Sequence, residues 1–316
     1  MSIWSSIRRK HKGRAVHILA ICLAASLLMY GYVFTMISLE ESQAEPNKPE
    51  EDGKCVAVLL FHAVTEEEEY NDSVISSEHL AETFQALKEN GYNPISLGRF
   101  HGFIDQGEGI PEKAILITFD DGYKDIYDIV YPLTQQYNFP AVVFTICKWF
   151  DRYPRPENSR AHLSVGEAQE LLASGLWQIG SHGYDGHHLV KGMHNTTGAF
   201  LVKRAFLTEA AREETKEEYQ ARAWQDITMS TIMLKAVGVY EPRDFAFPYG
   251  RYNNDLIKLL NEAGYRYLFN NDEDLVRAGQ DPSRIPRFVA SHNAAETIAI
   301  LNESFRQMEL QLEEVD

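Results

Sequence analysis

Along the chain, short apolar runs alternate with segments that carry a single apolar face. Residues 56–61 are a continuous apolar run of strand length. Such runs suit strands buried on both faces, as in parallel sheets. Over residues 78–90, Leu80, Phe84 and Leu87 share one helical face, and Gly91 stops the helix. The alternation then repeats. Residues 114–119 read as a strand, 123–137 as a helix, and 141–146 as a strand after Pro140. Ser164 and Glu167 form a capping box for a helix that ends at Gly175. Short strands follow at 176–180 and 245–247, then a helix over 255–263 closed by Gly264. Residues 265–269 and 285–289 complete the series. Seven or eight strands with helices between them predict one α/β domain, a parallel barrel or a doubly wound sheet. The polar residues singled out below all follow strand C-termini. That placement favours a distorted parallel (β/α) barrel of about seven strands.

Two regions break the pattern. Residues 195–238 are polar and helix-forming, with Glu209, Glu213, Glu214, Glu217 and Glu218 clustered. They predict a helical insertion ending in a helix whose apolar face includes Ile227, Ile232 and Leu234. Residues 15–39 contain no Asp, Glu, Lys or Arg. As a helix they are long enough to cross a bilayer core of about 30 Å. Arg8, Arg9, Lys10, Lys12 and Arg14 precede them and orient the N-terminus toward the cytoplasm. The length of the run favours an uncleaved anchor; cleavage at Ser42-Gln43-Ala44, with secretion, is the alternative. The chain therefore divides into a basic head (1–15), a transmembrane signal-anchor (16–39), a disordered linker (40–54), the α/β domain (55–305) and an acidic tail (306–316). The implied location is the cell membrane, single-pass, with the domain outside the cytoplasm.

Composition adds limits. The 316 residues are 44% hydrophobic, enough for a full core. The formal net charge is −16, and the five cations of the head leave the remainder near −21. Such a domain repels phosphate backbones, which argues against nucleic acid as a partner. It does not repel a neutral or cationic polymer. Cys22, Cys55 and Cys147 make no disulfide framework, and the last two read as small buried thiols.

The chemistry centres on four residues. Asp120 and Asp121 end the third apolar segment, and Gly122 permits the chain to turn there. Neighbouring residues of a strand point to opposite faces, but a turning backbone lets both carboxylates approach one place. The same Asp-Asp-Gly is also an ordinary β-turn composition. His182 and His187 follow the strand at 176–180, with His188 a competing candidate and His194 a weaker one. Two imidazoles and one carboxylate can hold one divalent ion with positions left open for water and substrate. Zinc suits such a nitrogen–oxygen set, with Co²⁺, Ni²⁺ and Mn²⁺ as alternatives.

The combination is more specific than its parts. Thr118-Phe119-Asp120-Asp121-Gly122 resembles the first motif of the polysaccharide deacetylase family, carbohydrate esterases with a NodB-type domain. The stretch from His182 to His187 resembles the second, and Phe245-Ala246-Phe247-Pro248-Tyr249-Gly250 the third. The histidine spacing of four rather than three intervening residues is similar to the subgroup that deacetylates β-1,6-linked poly-N-acetylglucosamine of biofilms. So are Phe61-His62, the stretch from Glu213 to Arg222 with Asp226, and Ile285-Pro286-Arg287.

The resemblance implies roles. Asp120 would be the general base. Asp121, His182 and His187 would hold the metal, and the Tyr249 backbone N–H would stabilise the oxyanion. The substrate would be an N-acetylglucosamine polymer, releasing acetate. The family's usual arginine two residues before the third-motif proline is Ala246 here, so another group must position Asp120; Arg287 is a candidate. His292 is the candidate general acid. His62 faces the site or is a satisfied core histidine. Pro248 and Tyr184 would border the substrate, as would Trp149 and Phe150 unless they are core. The rival readings are a peptidoglycan or chitin-oligomer deacetylase and a non-catalytic carbohydrate-binding protein.

Overall fold

The computed structural model describes residues 53–66, 73–150 and 160–313. The expected basic head and membrane segment, nearly all of the linker and residues 314–316 lie outside them. Among the described residues, no helix is long and apolar enough to cross a membrane.

Seven parallel strands form the frame. They are β1 (Cys55–Phe61), β2 (Ala114–Phe119), β3 (Ala141–Thr145), β4 (Trp177–Ser181), β5 (Asp244–Ala246), β6 (Tyr267–Phe269) and β7 (Phe288–Val289). Each of β1 to β5 pairs in parallel with the next in this numbering. The ends are also linked. Phe269 bridges in parallel to Ile285, and β7 pairs with β1. The strands therefore curl into a distorted (β/α) barrel. Two junctions are held by a single residue pair: β4 with β5, at Ser181 and Phe245, and β6 with the 285–289 segment, at Phe269 and Ile285.

Alternation along these strands sorts the side chains. Val56 and Val58, Ala114 and Leu116, Val142 and Phe144, Ala246, Tyr267, Phe269 and Ile285 meet in one interior cluster. Their neighbours Ala57, Leu59, Ile115, Ile117, Ala141, Val143 and Ile179 pack outward. The same parity decides the site, since Asp120, His182 and Arg287 continue the inward series of β2, β4 and the 285–289 segment.

Helices cover the outside. α1 (Ser77–Glu89) packs through Leu80, Phe84 and Leu87, as its periodicity predicts. α2 (Leu97–Gln106) buries Phe100, Phe103 and Ile104 in the interior cluster and plugs the N-terminal end of the barrel. α3 (Tyr131–Tyr137) continues a π-helical turn at Ile126–Val130, so the single helix expected over 123–137 is divided. Pro132 has no N–H to give to the preceding turn, and the α register restarts there. α4 (Val165–Ala173) carries the expected capping box.

The insertion departs from expectation. Two hairpins, Leu189–Lys191 with Thr197–Ala199 and Phe206–Leu207 with Arg212–Glu213, precede α5 (Lys216–Val237). Ile232 is 53% exposed and does not belong to the buried face. That face is Tyr219, Ala223, Asp226, Ile227, Ser230, Leu234 and Val237. Two of its members are polar, which is why an apolar stripe misplaces it. α6 (Asn254–Glu262) packs with α5 against the outer face of β5 and β6. α7 (Ala294–Glu313) runs through residue 306 and buries Met308, so the expected tail begins inside a packed helix. Cys55 and Cys147 are buried free thiols.

Candidate active site

The C-terminal ends of the strands hold a cluster of buried charge. β2 stops at Phe119, and the next two polar residues turn back on themselves. Asp121 has φ 70° and Gly122 φ 75°. Left-handed backbone costs a non-glycine residue on the order of 1 kcal/mol, and such residues collect at functional sites. Gly122 has no alternative, because a Cβ there would lie 2.8 Å from Thr145 Cγ2. This turn brings both carboxylates to the barrel mouth.

Asp120 is 2% exposed and fully engaged. Arg287 Nη1 donates to its Oδ1 and Nη2 to its Oδ2, both at 2.8 Å. Arg287 is itself 0% exposed and donates further to the Asn270 carbonyl and to Asn271 Oδ1. Burial alone would raise the Asp120 pKa. The guanidinium, with His182 and His62, outweighs burial and holds it at about 2. The gap left by Ala246 is thus filled from the far end of the chain. Asn270 and Asn271 complete the clamp, and no motif or period in the sequence singles them out.

Asp121 is the opposite case. Its Oδ1 is buried and has no hydrogen-bond partner. Two ring nitrogens converge on that atom, His182 Nε2 at 3.6 Å and His187 Nε2 at 3.5 Å. Among the described residues, only Asp121, His182 and His187 have ligand atoms grouped in this way, all within 4.8 Å of one another. Ligands about 2.0–2.1 Å from a tetrahedral zinc stand roughly 3.3 Å apart. The donor set and its spacing therefore fit one divalent ion. The His182 Nδ1 meets the Ala246 carbonyl at 2.8 Å, which assigns the proton to Nδ1 and presents Nε2 as the ligand. Burial lowers the His182 pKa to about 4 against the pull of Asp120, so the ring is neutral near pH 7.

The other predicted residues divide. His188 turns away, its Nδ1 on the Asp185 carbonyl and its ring 4.5 Å from Phe200. Tyr249 has φ 60° and a ring 4.4 Å from His187, so the Pro248–Gly250 turn borders the histidines. His62 follows β1 and lies near enough to Asp120 to contribute to its lowered pKa. His292 is half-buried beyond β7, at the same end of the barrel but outside the ligand trio. The Tyr184 ring packs on the outer core with Phe150. Tyr123, which sequence reading passes over, hydrogen-bonds Asp121; burial and that carboxylate push its pKa up.

A parallel barrel whose strand ends carry this trio beside a clamped carboxylate has the form of a metal-assisted hydrolase. The family model for polysaccharide deacetylase matches residues 107–268, just over half of the chain. The protein belongs to the polysaccharide deacetylase family.

Its relatives narrow the likeness. The chain is 31% identical over 249 residues to the poly-β-1,6-N-acetyl-D-glucosamine N-deacetylase of Escherichia coli, a match covering 75% of this chain and 37% of that protein. It thus spans little over a third of that relative's length. It is 28% identical over 297 residues to the enzyme of the same name from Staphylococcus epidermidis, covering 88% of this chain and 94% of that one. Among solved structures it is similar to a de-N-acetylase from Aggregatibacter actinomycetemcomitans, with TM-score 0.70 and 27% identity over 78% of this chain and 99% of the other.

Proposed function

We propose that this protein is a metal-dependent polysaccharide N-deacetylase that removes acetyl groups from poly-β-1,6-N-acetylglucosamine. One observation carries the reading: the trio of Asp121, His182 and His187, with an orphaned Asp121 oxygen, lies beside a second carboxylate held off the trio by Arg287. A binding protein has no use for that second, costly buried charge. The relatives' names support the substrate.

Asp121, His182 and His187 hold the ion, zinc in the first instance. When bound, it supplies Lewis acidity that polarises the amide carbonyl and acidifies water. Asp120 takes the proton of the attacking water through the oxygen nearer the trio, Oδ2, which lies 4.0 Å from His182 Nε2. The Arg287 clamp trades basicity for position, because a carboxylate with a pKa of about 2 is a weak base held in one orientation. The Tyr249 N–H donates to the developing oxyanion. The amine leaves with a proton from His62 or His292, both at the same strand ends. The product is acetate and a glucosamine unit, cationic at neutral pH, which an acidic domain attracts.

Residues 15–39 are proposed as a membrane anchor on the strength of their uncharged length. Retention in the membrane fraction through alkaline carbonate washing tests this; a soluble mature form starting near Glu45 would replace it with a cleaved signal peptide. The activity is tested by offering β-1,6- and β-1,4-linked N-acetylglucosamine oligomers to the purified chain and measuring acetate and amine. Preference for the β-1,4 series would move the assignment to a chitin- or peptidoglycan-type substrate. Release from neither would remove it.

A further inference from the structure

The two histidines of the proposed metal site sit on a loop whose backbone is held from two sides. On one side is the end of β3. The Cys147 and Lys148 N–H groups donate to the carbonyls of Gly183 and Tyr184 at 3.0 and 2.9 Å. On the other side is α5. Asp226 Oδ1 accepts the Tyr184 N–H at 2.9 Å, and Oδ2 accepts the Asp185 N–H at 2.7 Å. One turn further on, Ser230 accepts from Ser181, whose Oγ accepts the Gly183 N–H.

Both glycines of the loop are fitted to this carboxylate. A Cβ on Gly183, which has φ 84°, would come within 2.9 Å of Asp226 Oδ1. A Cβ on Gly186 would come within 3.2 Å of the same atom and 2.8 Å of Leu201 Cγ. Asp226 is 5% exposed, and its hydrogen bonds come from peptide groups of the loop. A buried carboxylate costs several kcal/mol unless its acceptors are filled. Here they are filled only when the loop has this shape. Glu214, bound to Arg222 and the Ala205 N–H, anchors the insertion around α5 in turn.

We propose that Asp226 is a positioning residue for the metal ligands: by fixing the peptides of Tyr184 and Asp185 from α5, it sets the separation of His182 and His187. This rests on the metal reading above. It also gives the helical part of the insertion a task. A loop with four residues between its ligands has one more peptide to restrain than a loop with three, and the helix supplies that restraint.

The test uses the full chain loaded with Co²⁺ or Zn²⁺. Dissociation constants come from competition with a chelator, the Co²⁺ absorption spectrum reports ligand geometry, and a thermal melt in chelator reports the fold alone. Asp226→Ala is expected to weaken metal binding by about 10–100-fold, the usual loss for groups that orient ligands, and to change the Co²⁺ spectrum. Asp226→Asn keeps one acceptor and is expected to lose less. A folded Asp226→Ala protein with unchanged affinity and spectrum would overturn the proposal. If the alanine variant does not fold, unchanged affinity and spectrum in Asp226→Asn would overturn it equally. His182→Ala separates the two ideas. Full metal occupancy in that variant removes the metal reading itself, whereas its loss with Asp226→Ala unaffected removes only the role of Asp226.

Discussion

The two ends of the barrel are built from similar polar residues and use them differently. At the N-terminal end, polar side chains on and around α2 pair with one another. His101 lies on Asp244 at 2.8 Å and stacks on Tyr267 at 3.7 Å. The Tyr267 hydroxyl donates to Asp105 Oδ2 at 2.6 Å, and Arg266 donates to Oδ1 at 2.7 Å. At the C-terminal end, Asp121 keeps a buried oxygen without a partner, and Asp121 and Tyr249 both hold left-handed backbone. The first end spends its polar groups on closing the fold. The second leaves some of them unpaired, at a cost in stability, as the proposed metal site requires. Parallel barrels in general divide their ends between stability and function in this way.

The largest expected effect tests the division at the C-terminal end. Asp120→Asn should leave metal affinity nearly intact and cut turnover by roughly 10²-fold or more, the usual contribution of a positioned base. Asp121→Asn should lose metal first, with activity partly restored at high metal concentration. Metal titration beside acetate-release kinetics decides. A metal-deficient, rescuable Asp120→Asn beside a metal-replete, inactive Asp121→Asn would exchange the two roles.

Arg287→Met comes next. It strands a buried carboxylate, which costs about 3–5 kcal/mol. Without the guanidinium the Asp120 pKa rises, so the acid limb of the rate profile should move to higher pH. Arg287→Lys should restore charge but not the two-point clamp. An unmoved acid limb in a folded Arg287→Met protein would show that the arginine neither charges nor aims the base.

How much of this was legible beforehand depends on whether a residue acts through its own segment or through a distant one. β1 and β2 could be read because strands buried on both faces are unbroken apolar runs. Asp120, Asp121, His182 and His187 could be read because motif and strand end coincide. The Asp120–Arg287 clamp joins positions far apart in sequence, so only the missing arginine at Ala246 and the resemblance of Ile285-Pro286-Arg287 point to it. Asp226 and Ser230 interrupt the apolar stripe of α5, so an apolar period alone places Ile232 on the wrong face. The insertion hairpins are two or three residues per strand, too short for a period to show. α2 and α7 escape the apolar periodicity, although Ser96 caps the first and Gly107 ends it.

A smaller effect concerns acid. In chelator, His182 titrates at about 4 in the folded protein against an ordinary 6.5. Between those values the unfolded chain binds the extra proton, so stability should fall as pH drops from 6.5 to 4, by on the order of 3 kcal/mol. Asp120, lowered to about 2 from 3.8, stabilises above 3.8 and loses that contribution as pH falls toward 2. Denaturation midpoints measured across this range should flatten between pH 6.5 and 4 in His182→Gln. An unchanged slope would place the acid sensitivity elsewhere.

The smallest expected effect is at the N-terminal end, and it completes the contrast. Tyr267→Phe removes one hydroxyl and leaves the stacking on His101 and the Arg266–Asp105 pair in place. Asp105 loses a donor, and the net cost of one such hydrogen bond is about 1 kcal/mol. Tyr267 begins β6 and faces the same interior cluster that carries Phe144. The Arg287 guanidinium lies 5.7 Å from the Phe144 ring centroid. A packed interior could therefore transmit a disturbance from one end to the other. If the ends are independent, the variant should melt slightly earlier, with kcat per folded molecule and metal affinity unchanged. A tenfold loss of kcat with normal metal occupancy would mean that the closure at α2 holds the Asp120–Arg287 clamp in place, and that the division between a stabilising end and a catalytic end does not hold for this barrel.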